Sequence, residues 1–278
     1  MNAFSPAWLA LRESADLVAR NRDVLAACQR HFERRDSMRI CDIGAGTGAS
    51  VRAFADFLPI YQHWTLVDHN AENLAAAVDV LSDWADTASQ SDGRLSLKRG
   101  ARHIEVRMRC FDFAQDPASC WTADTGLVTA SALLDLTSKS WIAHFANALS
   151  TTESAVLATL TFDGTIVADP SHPLDNTVAE AFRAHQLRDK GFGPAAGSAA
   201  ADSLKLSMER LGYKIVAGSS PWHFEDRKAA VFIHTIEGIA TAAHEIAQMD
   251  SISDWQHDRL NKTRLLTIGH TDVFSYRQ

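Results

Sequence analysis

The sequence is first informative for what it lacks. No run of 18 or more apolar residues occurs, so it offers no membrane-spanning helix. No basic segment followed by an apolar stretch opens the chain, so no secretory leader is expected and the cytoplasm is the default compartment. Cysteine is scarce: four residues, Cys28, Cys41, Cys110 and Cys120, with no C-x-x-C pair and no zinc-like spacing to histidine. They are expected to be small, mostly buried thiols in a reducing setting, with no metal site. An excess of positive charge is also missing, the formal net charge being -7. Phosphate-binding proteins usually show a basic face, so the balance favours a small-molecule partner over nucleic acid. The one basic stretch, Lys98, Arg99, Arg102, Arg107 and Arg109, reads as a solvated loop and edge strand. Internal repeats and linker-like segments are absent too. The 278 residues are therefore expected to form a single domain over 1–278.

What is present is an alternation of strand and helix patterns. Residues 6–34 read as helical with an amphipathic face, Ser5 as N-cap and Pro6 near the start, and are expected to supply N-terminal helices. Residues 1–37 thus form an N-terminal helical cap. Strands follow at 38–43, 63–68, 104–111, 127–131 and 154–162, with helices at 49–58, 71–87 and 140–149 between them. Residues 88–100 are polar and loop-like. The segment 163–203 is rich in breaker signals around one helix near 175–188, and a stretch of that length is expected to be a substrate-side insertion. Helices near 203–211 and 228–249 and strands near 213–217 and 264–276 complete the chain, with Gly269 marking a bulge or bend. The fold class expected is a doubly wound α/β sheet of seven strands, mostly parallel, with helices on both faces.

The most specific stretch is Asp42-Ile43-Gly44-Ala45-Gly46-Thr47-Gly48, which ends the first strand and opens a helix. Glycines there permit a sharp turn and close approach of a ligand, and the helix start favours an anion. One reading is a dinucleotide site, since Gly44, Gly46 and Ala49 satisfy G-x-G-x-x-A and an acidic residue follows about 20 residues on. Other candidates lie at the ends of later strands: Asp68-His69, Asp112-Phe113, and Ser131-Ala132 with Asp135 beyond.

In that order and spacing the four segments resemble class I S-adenosylmethionine-dependent methyltransferases, motif by motif over residues 38–163 and by order of elements after that. The resemblance implies S-adenosyl-L-methionine as cofactor and a last strand that is antiparallel to the rest of the sheet. It implies that Asp42, Gly44, Ala45, Gly46 and Gly48 hold its methionine end, Asp68 with His69 its ribose, and Asp112 with Phe113 its adenine. Ser131 would line the methionine end. The activity implied is methyl transfer to an oxygen or nitrogen of a small metabolite. An RNA or protein methyltransferase, or a non-catalytic cofactor-binding protein of this fold, is the alternative. The D/N-P-P-Y/F segment of enzymes acting on planar nitrogens is not found, since residues 131–135 read Ser-Ala-Leu-Leu-Asp.

Acceptors in open α/β sheets bind beyond the carboxyl ends of the strands. The segment around His185, Arg188 and Lys190 concentrates an imidazole and two cations beside a glycine-rich turn. His185 is the candidate general base there, and Arg188 and Lys190 are candidates to hold an acidic group. Trp222 is a further candidate wall of the pocket, and Trp8 and Arg12 are candidates to close over the cofactor. Oligomeric state is not readable from the sequence.

Overall fold

A computed structural model describes residues 4–277. Its first elements are helices α1 (Pro6–Ala19) and α2 (Arg22–Phe32). The helical stretch expected over 6–34 is these two helices. Asn21 interrupts it, its side chain accepting from the amides of Asp23 and Val24 to cap α2. Its own amide donates to Asp272 at 2.8 Å, a tie across 251 residues that local propensity does not contain.

Strand β1 (Ser37–Ile43) leads through the glycine loop into α3 (Ala49–Phe54). Then follow β2 (Tyr61–Asp68), α4 (Ala71–Trp84), β3 (Thr87–Ser91), β4 (Arg94–Arg99) and β5 (Arg102–Cys110). Residues 88–100, expected as a loop, are a hairpin. Asp92 and Gly93 turn it with φ of 50° and 71°, the two-residue geometry that Asp-Gly favours. Strand β6 (Leu127–Ser131), α5 (Lys139–Thr152) and β7 (Ala155–Asp169) come next, then α6 (Asp175–Gln186) and α7 (Ala200–Arg210). The chain ends with β8 (Lys214–Ser219), β9 (Trp222–Phe224), α8 (Ala230–Ala247), α9 (Ser251–Lys262) and β10 (Leu265–Tyr276).

The sheet has ten strands among the described residues, not seven. Its order is β3-β4-β5-β2-β1-β6-β7-β10-β8, with β9 on the far part of β10. The five strands from β5 to β7 are parallel. The last strand, β10, inserts antiparallel between β7 and β8. The extra strands are the β3–β4 hairpin on one edge and the short β9. Gly269 does mark a register shift in β10, and Asp163 and Thr165 leave no room there for a side chain.

Alternation along β1 fixes both faces of the sheet. Cys41 and Ile43 pack with Val128, Trp141 and Phe145 on one side. Ile40 packs with Trp64, Leu66, Phe54 and Leu81 on the other. A third apolar cluster lies beyond the sheet: Phe162, Val178, Trp222, Ile236, Ile239 and Trp255 join the far half of β7 to α6, β9, α8 and α9. Trp8 and Leu11 of α1 pack against that cluster. Helix α9 was not expected; its buried face is only Ile252, Trp255 and Arg259, a weak periodic signal. No helix of the described chain is long and apolar enough to cross a membrane.

Candidate functional site

The carboxyl ends of β1, β2 and β6 open into one cavity of about 910 Å³. Its floor is the glycine loop. Gly44 and Gly46 adopt φ of 66° and 53°, and both face the cavity. A Cβ on Gly44 would stand 3.3 Å from Leu133, and one on Gly46 2.8 Å from Leu9. The loop is tied to β2 by the Ala45 amide, which donates to Val67 at 3.1 Å, and by the Gly46 amide, which donates to Asp68 at 2.8 Å. The other Asp68 oxygen accepts from the Asn70 amide at 2.8 Å, with the His69 imidazole 3.4 Å away. Asp68 and His69 both line the cavity, as do Ala45, Phe113, Ser131 and Ala132.

Several expected residues stand elsewhere. Asp42 is buried beneath the loop, not in the cavity wall. Burial pushes its carboxyl up to about 7, against the hydrogen bond donated by Thr129 at 2.6 Å. Gly48 packs on Leu81 and Leu66. Asp112 is exposed outside the cavity and accepts from the Ala114 amide at 3.0 Å, a local turn. Arg188 also stands outside, paired with Glu245 at 2.6 Å. The sequence pattern located the ends of the strands but could not say which face each side chain takes.

The opposite half of the cavity is built by α1, α6, α8 and β10. His185 and Lys190 are in its wall. His185 Nε2 is 3.3 Å from Glu245, while its Nδ1 is buried without a partner. Burial and nearby Lys190 lower its pKa against the opposing pull of Glu245, which favours the neutral ring. Trp222 lies in the same wall and donates to Asp16 at 3.0 Å. Arg12 is in a bidentate pair with Asp16 at 3.0 and 3.1 Å and sits 4.8 Å over the Trp222 ring. Trp8 and Arg12 thus do face the cavity from α1. A second latch holds α1 to the loop helix: Arg52 binds Glu13 at 2.6 and 2.7 Å and the Thr47 carbonyl at 2.7 Å.

Sequence reasoning gave no role to Leu9, Asp16, Arg20 or His270, and placed Asp135 only as a candidate beyond Ser131 and Ala132. Arg20 is buried, donates to Ser131 at 3.4 Å, and leaves Nε and Nη1 without partners. Asp135 is buried in the cavity wall with Oδ1 unpartnered, and burial raises its carboxyl to about 6. His270 packs 5.0 Å from Trp222; burial and then Arg12 push it down to about 3. The position of Asp135 directly after the fourth motif was the only sequence signal among these. Among the described residues no cluster of three His, Cys, Asp or Glu could hold a metal ion.

No protein-family model matches the chain, and no curated protein matches it significantly. Solved structures do. The YcgJ protein of Bacillus subtilis is 14% identical and has a TM-score of 0.50, the match covering 93% of this chain and 99% of that one. The two share a fold. A SAM-dependent methyltransferase from Geobacter sulfurreducens, solved with S-adenosyl-L-homocysteine, is 14% identical over 99% of this chain and 100% of that chain, with a TM-score of 0.47. One from Thiobacillus denitrificans, also with S-adenosyl-L-homocysteine, is 15% identical over 99% of each chain, with a TM-score of 0.46.

Proposed function

We propose that this chain is an S-adenosylmethionine-dependent methyltransferase acting on a small molecule. The observation that carries the reading is one cavity with two unlike halves: a positive-φ glycine loop with Asp68 on one side, and an aromatic, charged wall on the other. A volume of about 910 Å³ sits at the upper end of the roughly 300–1,000 Å³ typical of single-ligand pockets, which suits a cofactor and an acceptor together.

The residues present fit that cofactor. Gly44 and Gly46 line the cavity with positive-φ backbone, so a ligand there meets main chain. The spare lone pairs of Asp68 can accept from ribose hydroxyls, and Phe113 offers a ring face to the adenine. Arg20, buried behind the cavity wall at Ser131 with Nε and Nη1 unpartnered, places a positive charge near the amino-acid end of the cofactor. When bound, the cofactor supplies an electrophilic methyl group on a sulfonium. The chain's own task is to align the acceptor, exclude water and take a proton. The segment from Asp163 through α6, with α1 and α8, serves as the cover over the acceptor. His185, Lys190 and Trp222 contact the acceptor, and two groups there are able to take a proton, His185 and Asp135.

A nucleic-acid substrate is not favoured. Of the basic stretch, Arg99 and Arg102 are answered by Asp86 and Asp56, as neighbouring Arg94 is by Glu105.

Calorimetry and thermal unfolding with S-adenosylhomocysteine, S-adenosylmethionine and NAD test the reading. At a hundredfold its dissociation constant, an adenosyl ligand is expected to stabilise the chain by roughly 2.7 kcal/mol. Stabilisation by NAD alone, or by none of the three, overturns it.

A further inference from the structure

Among the described residues, Asp135 is the one carboxylate of the cavity wall with a buried oxygen that has no hydrogen-bond partner. It lies in the turn Leu134–Leu136, immediately after β6, so it stands beside Ser131 and Ala132, where the two halves of the cavity meet. A buried unpaired carboxylate oxygen is costly, and in a ligand cavity it marks the place of a ligand donor. Two cations act on it, Arg12 and Lys190. Arg12 is committed to Asp16 and to the Trp222 ring. Lys190 makes no ion pair or hydrogen bond among the described residues, so its ammonium is available to a second charge in the cavity. His185 is drawn aside by Glu245, and neutral His270 lies behind Trp222.

A base paired with a free cation suits an oxygen acid. As a hydroxyl gives up its proton it becomes an anion, and that anion needs a counter-ion in a dry site; an amine left neutral by the same step needs none. The walls beyond are apolar and aromatic: Phe162, Phe182, Trp222, Ile166, Ile239 and Ile268. They fit a planar, apolar body.

We propose that the acceptor is a small molecule carrying an aromatic hydroxyl, that Asp135 is the group that removes its proton, and that Lys190 faces the resulting oxygen. The O–H bond breaks, the proton moves to the Asp135 carboxylate, and the electron pair stays on the acceptor oxygen as the nucleophile. The proton later leaves Asp135 for solvent as the cover opens. This inference rests on the methyltransferase reading and names its acceptor class.

The test is binding of 2-naphthol, which fluoresces differently as phenol and as anion, and of 2-methoxynaphthalene, the same body without the hydroxyl proton. Both are titrated into wild type and Asp135→Asn in the presence of S-adenosylhomocysteine. Asp135→Asn is expected to weaken 2-naphthol about tenfold or more, the loss of one charged hydrogen bond, and to leave 2-methoxynaphthalene unchanged. Wild-type affinity for 2-naphthol is expected to fall as pH drops through about 6, and the variant is expected to lose that limb. Lys190→Met is expected to reduce the anion emission of bound 2-naphthol. Equal effects on both probes, an acid limb that survives in Asp135→Asn, or no binding of 2-naphthol overturns the inference. S-adenosylhomocysteine affinity is measured alongside. If it is intact in the variant, the fold is intact; if it is absent in wild type, the methyltransferase reading itself fails.

Discussion

At the scale of single residues, the cavity floor depends on two positions where the backbone leaves the range open to ordinary side chains. Gly46 is the sharper case. An alanine there takes a left-handed φ of 53°, which costs about 1–2 kcal/mol, and its methyl stands 2.8 Å from Leu9. Gly46→Ala is expected to lower the unfolding temperature and to weaken S-adenosylhomocysteine at least tenfold, read by calorimetry. Asp68 does two things: it receives the Gly46 amide and leaves lone pairs toward the cavity. Asp68→Ala is expected to abolish detectable adenosyl-ligand binding, while Asp112→Ala, an exposed turn residue, leaves it within about twofold of wild type. An Asp112→Ala variant that binds as poorly as Asp68→Ala would show that the adenine reaches out to that loop.

At the scale of elements, α1 is held over the cofactor half by Glu13 and Arg52 and over the acceptor half by Arg12, Asp16 and Trp222. The first latch is largely buried on the Arg52 side, so it is not an ordinary surface pair. Arg52→Ala is expected to cost about 1.5–3 kcal/mol of stability and to speed ligand release. Glu13→Ala should add little to it, because the two residues share one interaction; a double-mutant cycle measures this, and fully additive losses would refute the latch. The helix break before α2 belongs to the same scale. Residues 6–34 carry a continuous amphipathic pattern, but Asn21 is pinned by Asp272 and Ser219, and that long-range tie outweighs helix continuity. The β3–β4 hairpin was legible in principle from Asp92-Gly93 flanked by Leu95 and Leu97, but its outer strand is wholly exposed and lacks the apolar alternation that identifies a strand.

At the scale of the molecule, buried ionisable groups set the response to pH. Asp42 is raised from 3.8 to about 7, chiefly by burial. Folded chains therefore hold its proton across that window while unfolded chains release it, and raising pH from about 4 to 7 removes stability. His270 acts in the opposite sense: lowered from 6.5 to about 3, it costs stability as pH falls through that range. Asp42→Asn keeps an acceptor for Thr129 and loses the charge. It is expected to unfold at a higher temperature than wild type at pH 8, with the difference closing near pH 4. An equal difference at both ends would sink this assignment.

By itself the sequence determined the order of the seven main strands and most of the helices, the glycine loop, and the acidic residues at strand ends. These follow from local patterns: apolar alternation, capping, and the conformations only glycine adopts. Which of those residues share one cavity was decided by tertiary structure. Whether a side chain at a strand end faces the ligand or the core turns on twist and on what packs above it, which is why Asp68 faces the cavity, Asp42 lies beneath it and Asp112 points to solvent. Asp135, Arg20 and His270 gained their unusual surroundings from chain segments far away in sequence, since burial and unpaired polar atoms arise only where distant elements meet.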